Sequence, residues 1–375
     1  MKIVILGTAH PLRGGLSAYN ERIAYEFQSQ GHEVVIYTFS LQYPDFLFPG
    51  TTQFSDQPAP KDLTIKVAVN SVNPFNWWKV GREIKALNAD LLIVKFWLPF
   101  MAPCLGTICK LVRSNNKTKV ISIIDNIIPH EKRIGDFQFA KYFVNNVDGF
   151  IAQSKSVLSD LNLFDASKPK RFSPHPLYDN FGAAIPKEVA KTKLGLDANK
   201  HYLLFFGFIR DYKGLDILLK AIADKRFKDQ DINVIVAGEF YNNAEQYHQL
   251  IEELKIADLV TLRTDFIPDD MVRYYFCASD IVVQPYKHAT QSGVTQICYH
   301  FNRPMIVTNV GGLPEIVPND VVGYVVEPEP TPITNAILKF YAEQKEDVFA
   351  ANINIEKEKY SWNAMLKSIY EVAGM

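Results

Sequence analysis

Residues 2–15 read KIVILGTAHPLRGG, and this stretch decides the fold. It begins with Lys2–Leu6, an apolar run with the length and character of a parallel strand that is buried on both faces. A glycine-containing loop follows, and then Leu16–Gln28 has apolar residues at helical spacing, with Gly31 placed to end the helix. The next apolar run is Glu33–Thr38. The order of strand, loop, helix and strand predicts a βαβ unit at the start of the chain.

This alternation continues along most of the chain, in two series. Residues 171–199 separate the series with three prolines and two glycines. The further strands predicted in the first series are Thr64–Val69, Leu91–Lys95, Lys119–Ile124 and Gly149–Ala152. Those predicted in the second series are His201–Gly207, Asn233–Gly238, Leu259–Arg263, Asp280–Gln284, Pro304–Thr308 and Gly323–Val326.

Two such series predict an α/β protein with two Rossmann-like domains facing each other across a cleft. We expect an N-terminal domain at residues 1–180 and a C-terminal domain at 181–358. The last helix candidate, Trp362–Val372, has no following strand to pair with. We therefore expect residues 359–375 to cross back and pack on the first domain.

Composition excludes several classes of protein. The formal net charge of −1 over 375 residues gives no general attraction to nucleic acid, so no nucleic-acid partner is expected. The four cysteines have no metal-ligand spacing, and no apolar run has the length of a membrane span. A cytoplasmic location is the default expectation.

Ligands of open parallel sheets bind beyond the carboxyl ends of the strands, so the loops after strands are candidate sites. The first such loop, Gly7–Gly15, contains the pair Gly14 and Gly15 directly before a helix. Paired glycines and a helix N-terminus suit an anion, and a tight strand–helix turn explains them equally well. The loop lacks the GxGxxG pattern, which disfavours a dehydrogenase.

The corresponding loop of the second series, Gly207–Gly214, carries Arg210 and Lys213. An arginine grips phosphate oxygens in a bidentate manner and a lysine acts as a point charge. Their place at the end of a buried strand favours phosphate binding over a solvated surface pair. The spacing is not that of a P-loop.

A third loop lies in residues 288–297, HATQSGVTQI, before a helix that begins near Val294. Hydroxyl, amide and backbone donors come from Thr290, Gln291, Ser292 and Gly293. Donor-rich loops without a metal motif predict an anionic ligand such as a diphosphate, with no metal or other cofactor. The triplet 229–231, DQD, matches a DxD pattern but precedes a strand, and we interpret it as solvated surface.

With these motifs in this order, the chain resembles the GT-B-fold retaining glycosyltransferases of the group 1 type over nearly its full length. The resemblance rests on segments 11–15 (PLRGG), 31–34 (GHEV), 207–216 (GFIRDYKGLD), 280–286 (DIVVQPY) and 310–315 (VGGLPE). The family usually carries two glutamates in the third loop, where this chain has none. Members with a TQSG-like segment resemble it more closely.

The resemblance implies roles for particular residues. Lys213 matches the lysine that holds the donor diphosphate, and Arg210 substitutes for an arginine that usually follows the glycine. Gly14 and Gly15 match the loop that meets the donor phosphates. Phe266 and Ile267 lie where the family's backbone contacts the nucleotide base.

The implied function is metal-independent transfer of a hexosyl or N-acetylhexosaminyl group from a nucleotide-diphosphate sugar to a saccharide or lipid-linked acceptor, with retention, in polysaccharide biosynthesis. Two alternatives stay open. One is a non-catalytic sugar-nucleotide-binding relative or partner subunit, which the missing glutamates favour. The other is a sugar-nucleotide epimerase, which the absence of carboxylates in residues 288–298 disfavours.

We expect the first domain to hold the acceptor. Asp125 and His130 follow a predicted strand and are candidates for activating a hydroxyl, with loop-capping hydrogen bonds as the alternative. Residues 75–85 and 101–119 combine apolar side chains with cations. They suit either contact with the inner face of an anionic membrane or core helices with solvated cationic ends.

Overall fold

A computed structural model of the protein describes residues 1–44, 53–55, 58–129, 134–227, 230–241, 244–289 and 292–375. These residues form two compact units. Residues Met1–Pro174 and Trp362–Met375 make the first unit, and His175–Ser361 make the second. Each unit has its own parallel sheet, which confirms the predicted Rossmann-like architecture.

The first unit is built on a seven-stranded sheet with strand order β3-β2-β1-β4-β5-β6-β7. Every pairing in it is parallel. The strands are β1 (Lys2–Leu6), β2 (Glu33–Leu41), β3 (Thr64–Asn70), β4 (Leu91–Phe96), β5 (Lys119–Ile124), β6 (Gly149–Ala152) and β7 (Lys170–Phe172). Residues of β1 and β4 are almost all buried because helices cover both faces of the sheet.

Helices pack on the two faces of this sheet in separate groups. The first unit contains α1 (Gly15–Ser29), α2 (Pro74–Ala86), α3 (Ala102–Arg113), α4 (Asp136–Asn145), α5 (Lys155–Phe164) and the C-terminal helix α14 (Trp362–Ala373). One core lies between the sheet and helices α2 to α5, and the other between the sheet and α1 with α14.

The C-terminal helix α14 returns to the first unit, as the sequence predicts. Its residues Trp362, Leu366 and Ile369 are buried among side chains of the first sheet and α1. The ring of Tyr19 lies 5.2 Å from that of Trp362, measured between centroids. The helix therefore covers a sheet face that the first 174 residues leave partly open.

The second unit repeats this architecture with a six-stranded parallel sheet, in the order β10-β9-β8-β11-β12-β13. Its strands are β8 (His201–Phe206), β9 (Ile232–Ala237), β10 (Val260–Arg263), β11 (Ile281–Gln284), β12 (Met305–Thr308) and β13 (Gly323–Val326). Its helices are α6 (Lys187–Leu194), α7 (Leu215–Ile222), α8 (Glu245–Leu254), α9 (Asp269–Ala278), α10 (Gly293–His300), α11 (Leu313–Ile316), α12 (Pro330–Ala342) and α13 (Glu346–Glu356). Two cores again lie on opposite faces of the sheet.

The structure differs from the sequence prediction in several places. It adds the short edge strand β7, whose sequence KRF has no apolar run. The units change after residues 174 and 361, whereas the sequence suggested 180 and 358. No helix within the described parts of the chain is long and apolar enough to span a membrane.

Candidate functional site

The loop after β8 is fixed by its neighbours on both sides. The backbone N–H of Ile209 donates to the carbonyl of Glu239 at 2.8 Å, so the loop continues the pairing of β8 with β9. Gly214 has φ +70°, and a Cβ there would lie 2.0 Å from the carbonyl oxygen of Pro285. A residue with a side chain does not fit at Gly214, because both the backbone conformation and the close approach exclude it. The loop therefore holds its side chains in one position.

Lys213 is a buried cation at the end of this loop. The residue is 9% exposed, and no hydrogen-bond or ion-pair partner for its ammonium occurs among the described residues. Burial, with a further contribution from the charge of Arg210, lowers the pKa of Lys213 to about 8. The Nζ atom lies 5.7 Å from the centroid of the Tyr286 ring. An unpaired buried ammonium is costly, and an anion beside it would offset that cost.

Arg210 is the second cation of the loop. Its guanidinium lies 3.8 Å from the centroid of the Tyr241 ring, a stacked cation–π arrangement. Within the described residues, no carboxylate forms an ion pair with it. Arg210 is close enough to Lys213 for its charge to affect the lysine pKa. Two cations thus lie beside the carboxyl end of β8, and no described acidic residue pairs with either of them.

The N-terminus of α10 adjoins this loop. Ser292 caps the helix by accepting from the N–H of Val294 at 3.2 Å. Its hydroxyl donates to Oε1 of Gln284 at 2.7 Å, at the end of β11. A Cβ on Gly207 would lie 2.9 Å from Nζ of Lys213 and 3.9 Å from Cγ2 of Val294. The ammonium of Lys213 and the start of α10 therefore both lie close to Gly207.

Two predicted residues of this loop, Thr290 and Gln291, lie outside the described residues. Gly293 is the first residue of α10, and a Cβ there would be 3.1 Å from the ring of Tyr178. A side chain at this position would press against the Tyr178 ring, which would have to shift by a few tenths of an ångström.

Sequence reasoning missed a second polar feature, which lies within α10. Gln296 is 1% exposed, and both polar atoms of its side chain lack a hydrogen-bond partner among the described residues. Within the same described ranges, the Nε2 atom of Gln284 is also buried without a partner. A polar residue one turn after Ser292, within an otherwise apolar helix face, was the available signal.

Phe266 and Ile267, the predicted base contacts, follow β10 at the carboxyl edge of the second sheet. Phe266 is 63% exposed. Ile267 is partly buried and packs against the core on the α10 side of the sheet. The phenyl ring is therefore open to a planar ligand while its neighbour anchors the loop.

In the first unit, Gly14 and Gly15 lie at the start of α1. Gly14 has φ +105° and contributes no side-chain cap to the helix. A Cβ on Gly14 would meet no described atom within 4 Å. The preceding loop is held by the N–H of His10, which donates to Oε1 of Glu21 at 2.7 Å. The start of α1 is thus sterically open, a geometry suited to an anion.

Asp125 lies at the carboxyl end of β5, where it pairs with a residue that sequence reasoning did not identify. The Nζ atom of Lys95 donates to Oδ1 of Asp125 at 2.6 Å and to Oε1 of Gln153 at 2.7 Å. Lys95 is fully buried, and burial lowers its pKa although the charge of Asp125 opposes this. His130 lies outside the described residues.

The two segments predicted to contact a membrane differ in the structure. On α2, Phe75 and Trp78 are 88% and 53% exposed, and the guanidinium of Arg82 lies 4.6 Å from the Trp78 ring. On α3 the apolar residues are buried in the core, so residues 101–113 form a core helix whose basic residues lie in its last turn. Of these two segments, the one on α2 presents large apolar side chains to solvent.

The predicted site residues thus fall into two groups. Arg210, Lys213 and the start of α10 come together in the second unit, while Gly14, Gly15 and Asp125 belong to the first. Among the described residues, no group of three acidic, histidine or cysteine side chains is placed to hold a metal ion. Of the DQD triplet, position 229 lies outside them.

Family models match both halves of the chain. Residues 200–343 match "Glycosyl transferases group 1", and residues 13–171 match "Glycosyltransferase Family 4". Curated relatives include a D-inositol 3-phosphate glycosyltransferase of Segniliparus rotundus, 28% identical over 53% of this chain and less than half (44%) of the relative. The enzyme of the same name from Thermobifida fusca is 25% identical over 95% of this chain and 87% of its own length.

The fold is also that of solved structures. Anabaena Alr3699/HepE in complex with UDP superposes with a TM-score of 0.74 and 17% identity, covering 100% of both chains. A further structure of that protein contains UDP-glucose. With glycosyltransferase models over both halves and this fold throughout, the chain belongs to the glycosyltransferases of the GT-B type.

Proposed function

We propose that the protein transfers a hexosyl or N-acetylhexosaminyl group from a nucleotide-diphosphate sugar, with retention and without a metal ion. The observation that carries this proposal is the pair of cations Arg210 and Lys213 beside the start of α10, which have no acidic partners in the part of the chain that the structure describes. A diphosphate supplies the negative charge that this arrangement lacks. The uridine diphosphate bound by Anabaena Alr3699/HepE makes UDP-sugars the first donors to test.

In the proposed reaction, the bond between the anomeric carbon and the β-phosphate oxygen breaks as negative charge builds on the diphosphate. Lys213, Arg210 and the N–H groups at the start of α10 stabilise that charge. The acceptor hydroxyl attacks from the same face, and its proton passes to the departing phosphate oxygen. This scheme requires no carboxylate nucleophile, which suits a loop without glutamates.

The donor's other parts find candidate contacts in the second unit. Phe266 offers an exposed ring for the base. Thr290, Gln291, Ser292 and Gly293 are the proposed contacts for the phosphates and the sugar. These uncharged side chains and backbone groups suit sugar hydroxyls, which both donate and accept hydrogen bonds.

On the acceptor side we propose a saccharide or lipid-linked hydroxyl bound by the first unit, with His130 or Asp125 polarising it. The names of the curated relatives add an inositol phosphate to the acceptors worth testing. Location in the cytoplasm at the inner face of the membrane is part of the proposal. Phe75 and Trp78 would enter the interface while neighbouring cations on α2 contact anionic headgroups.

The membrane contact is tested by sedimenting the protein with vesicles of phosphatidylglycerol or of phosphatidylcholine. We expect binding to the anionic vesicles, reduced at least tenfold by the double substitution Phe75→Ser and Trp78→Ser. The matched control is Phe208→Ser, which alters a similarly exposed side chain in the second unit. Equal binding of the wild type and the α2 variant would refute the contact.

The activity is tested by incubating the protein with UDP-, GDP- and dTDP-sugars, with and without EDTA. Thermal shift reports binding, nucleotide release reports turnover, and NMR of the product reports the anomeric configuration. We expect stabilisation by one nucleotide class, EDTA-resistant transfer and a retained anomer. Binding without turnover would support the non-catalytic alternative. A nucleotide sugar recovered with one sugar carbon inverted would support the epimerase.

A further inference from the structure

Lys95 occupies a position where its charge is unexpected. It belongs to β4, whose other residues are apolar, and it is 1% exposed in the middle of the first sheet. Alternation along the strand places it on the face covered by α1 and α14, with Leu91 and Ile93. A buried lysine loses its hydration, so its neighbours must compensate for that loss.

Three residues from three other elements provide this compensation. Asp125 follows β5, Gln153 follows β6 and Tyr19 belongs to α1. The ammonium of Lys95 bonds Asp125 at 2.6 Å and Gln153 at 2.7 Å, and it lies 3.8 Å from the centroid of the Tyr19 ring. The Nε2 atom of Gln153 donates to the Tyr19 hydroxyl at 3.2 Å. The four side chains therefore form one connected cluster.

Asp125 is the only member of this cluster that faces solvent. Its side chain is 24% exposed, whereas that of Lys95 is 1% exposed. Its backbone N–H donates to the carbonyl of Phe96 at 2.9 Å, which fixes the main chain at the end of β5. Oδ1 is held by the ammonium, and within the described residues no group donates to Oδ2.

We propose that Lys95 is a positioning residue that holds Asp125 as a fixed hydrogen-bond acceptor for a hydroxyl group of the incoming acceptor substrate. The proposal rests on the glycosyltransferase function proposed above. Lys95 itself is too deeply buried to touch substrate, so it acts through the carboxylate. A stabilising role alone does not explain this ion pair, because apolar replacements of buried pairs are often neutral or stabilising.

The test is a double-mutant cycle on transfer activity with Lys95→Met, Asp125→Asn and the double variant, at saturating donor. If Lys95 acts through Asp125, each single variant lowers kcat by about 100-fold or more, and the double variant is no worse than Asp125→Asn alone. The KM for donor and the affinity for UDP stay at wild-type values, because neither Lys95 nor Asp125 is among the residues assigned to the donor. Lys117→Met is the matched control, since its exposed ammonium pairs with Asp90 at 3.2 Å in the same unit.

Folding is checked by thermal unfolding of each variant. If Lys95→Met alone does not fold because Asp125 loses its partner, the double variant contains neither charge and is compared directly with Asp125→Asn. A kcat for Lys95→Met within threefold of wild type, or losses that multiply in the double variant, would overturn the proposal. Absence of transfer by the wild type with every donor and acceptor would instead refute the proposed function, and this inference with it.

Discussion

The ammonium of Lys213 lies against the backbone of Gly207, where a Cβ would be 2.9 Å from Nζ. Gly207 has φ +93°, a conformation that residues with side chains rarely adopt. The glycine thus both shapes the loop and leaves the space that the ammonium occupies. The position of the cation depends on the absence of that side chain.

Replacing Gly207 with alanine should displace the ammonium and weaken nucleotide binding. We expect the UDP affinity of Gly207→Ala to fall by at least tenfold and the free energy of unfolding to fall by about 1–2 kcal/mol. Calorimetric titration and urea denaturation measure the two effects. Gly195→Ala is the control, since Gly195 has φ +67° with nothing within 4 Å of its Cβ position. Equal loss of UDP affinity in both variants would contradict this account of the lysine site.

Burial of Lys213 predicts how stability depends on pH. Its pKa is about 8 in the folded protein and about 10.4 in an unfolded chain, so between these values the unfolded state binds the additional proton. Stability from this group therefore rises as the pH increases from about 8 to 10.4. In Lys213→Met that rise is absent, and the variant is more stable than wild type below pH 8.

Urea denaturation of wild type and Lys213→Met at pH 7.5, 8.5 and 9.5 measures this difference. The control is Lys225→Met, which removes an exposed ammonium from the same unit. The difference in the free energy of unfolding between wild type and Lys225→Met should stay constant with pH. Parallel curves for wild type and Lys213→Met would show that the ammonium is not destabilised by burial.

The hydroxyl of Ser292 bonds both the start of α10 and the end of β11. Its removal should lower the free energy of unfolding by more than the loss of a helix cap alone. Ser292→Ala loses the cap to Val294 and leaves Oε1 of Gln284 unpaired in a buried environment. We expect the free energy of unfolding to fall by about 2–4 kcal/mol. About 1 kcal/mol comes from the lost cap and the rest from the unpaired side-chain amide of Gln284. Ser154→Ala, which removes the cap of α5 at Val157, should cost about 1 kcal/mol. Urea denaturation compares the two, and equal losses would contradict the role of Gln284.

The helix α14 should stabilise the first unit and not the second. Leu366 is fully buried in the core that α14 shares with α1 and the first sheet, so Leu366→Ala should cost about 2–5 kcal/mol. Hydrogen exchange should quicken in β1, β4 and β5 while the second sheet is unaffected. Lys367→Ala, on the exposed side of the same helix, should change neither. Uniform acceleration in both sheets would disprove this local role.

Much of the fold follows from local patterns in the sequence. Strands such as Lys2–Leu6 and Lys119–Ile124 are predicted with their observed bounds because strands buried on both faces are continuous apolar runs. The strand β7 was not predicted, because an edge strand with polar side chains has no such run. The helix α14 was placed correctly because no strand remained for it to pair with.

The candidate site was predictable in part. Glycine loops after strands identify Arg210 and Lys213, since the carboxyl edge of a parallel sheet collects such loops. The burial of Lys213, and the absence of a described acidic partner for either cation, depend on distant segments and become visible only in the structure. The same holds for Lys95, whose partners are 30 and 58 residues away in sequence. In the sequence, a single lysine after an apolar run indicates only where a strand ends. It gives no sign that Lys95 bonds residues of other strands.

The central claim is that Lys213 binds the β-phosphate of a nucleotide diphosphate. Calorimetric titration of wild type and Lys213→Met with UDP and with UMP at pH 7 tests it most directly, because the two ligands differ by that phosphate alone. The account predicts that wild type binds UDP at least tenfold more tightly than UMP, and that Lys213→Met loses most of this preference. A variant that keeps the wild-type preference for UDP would contradict it.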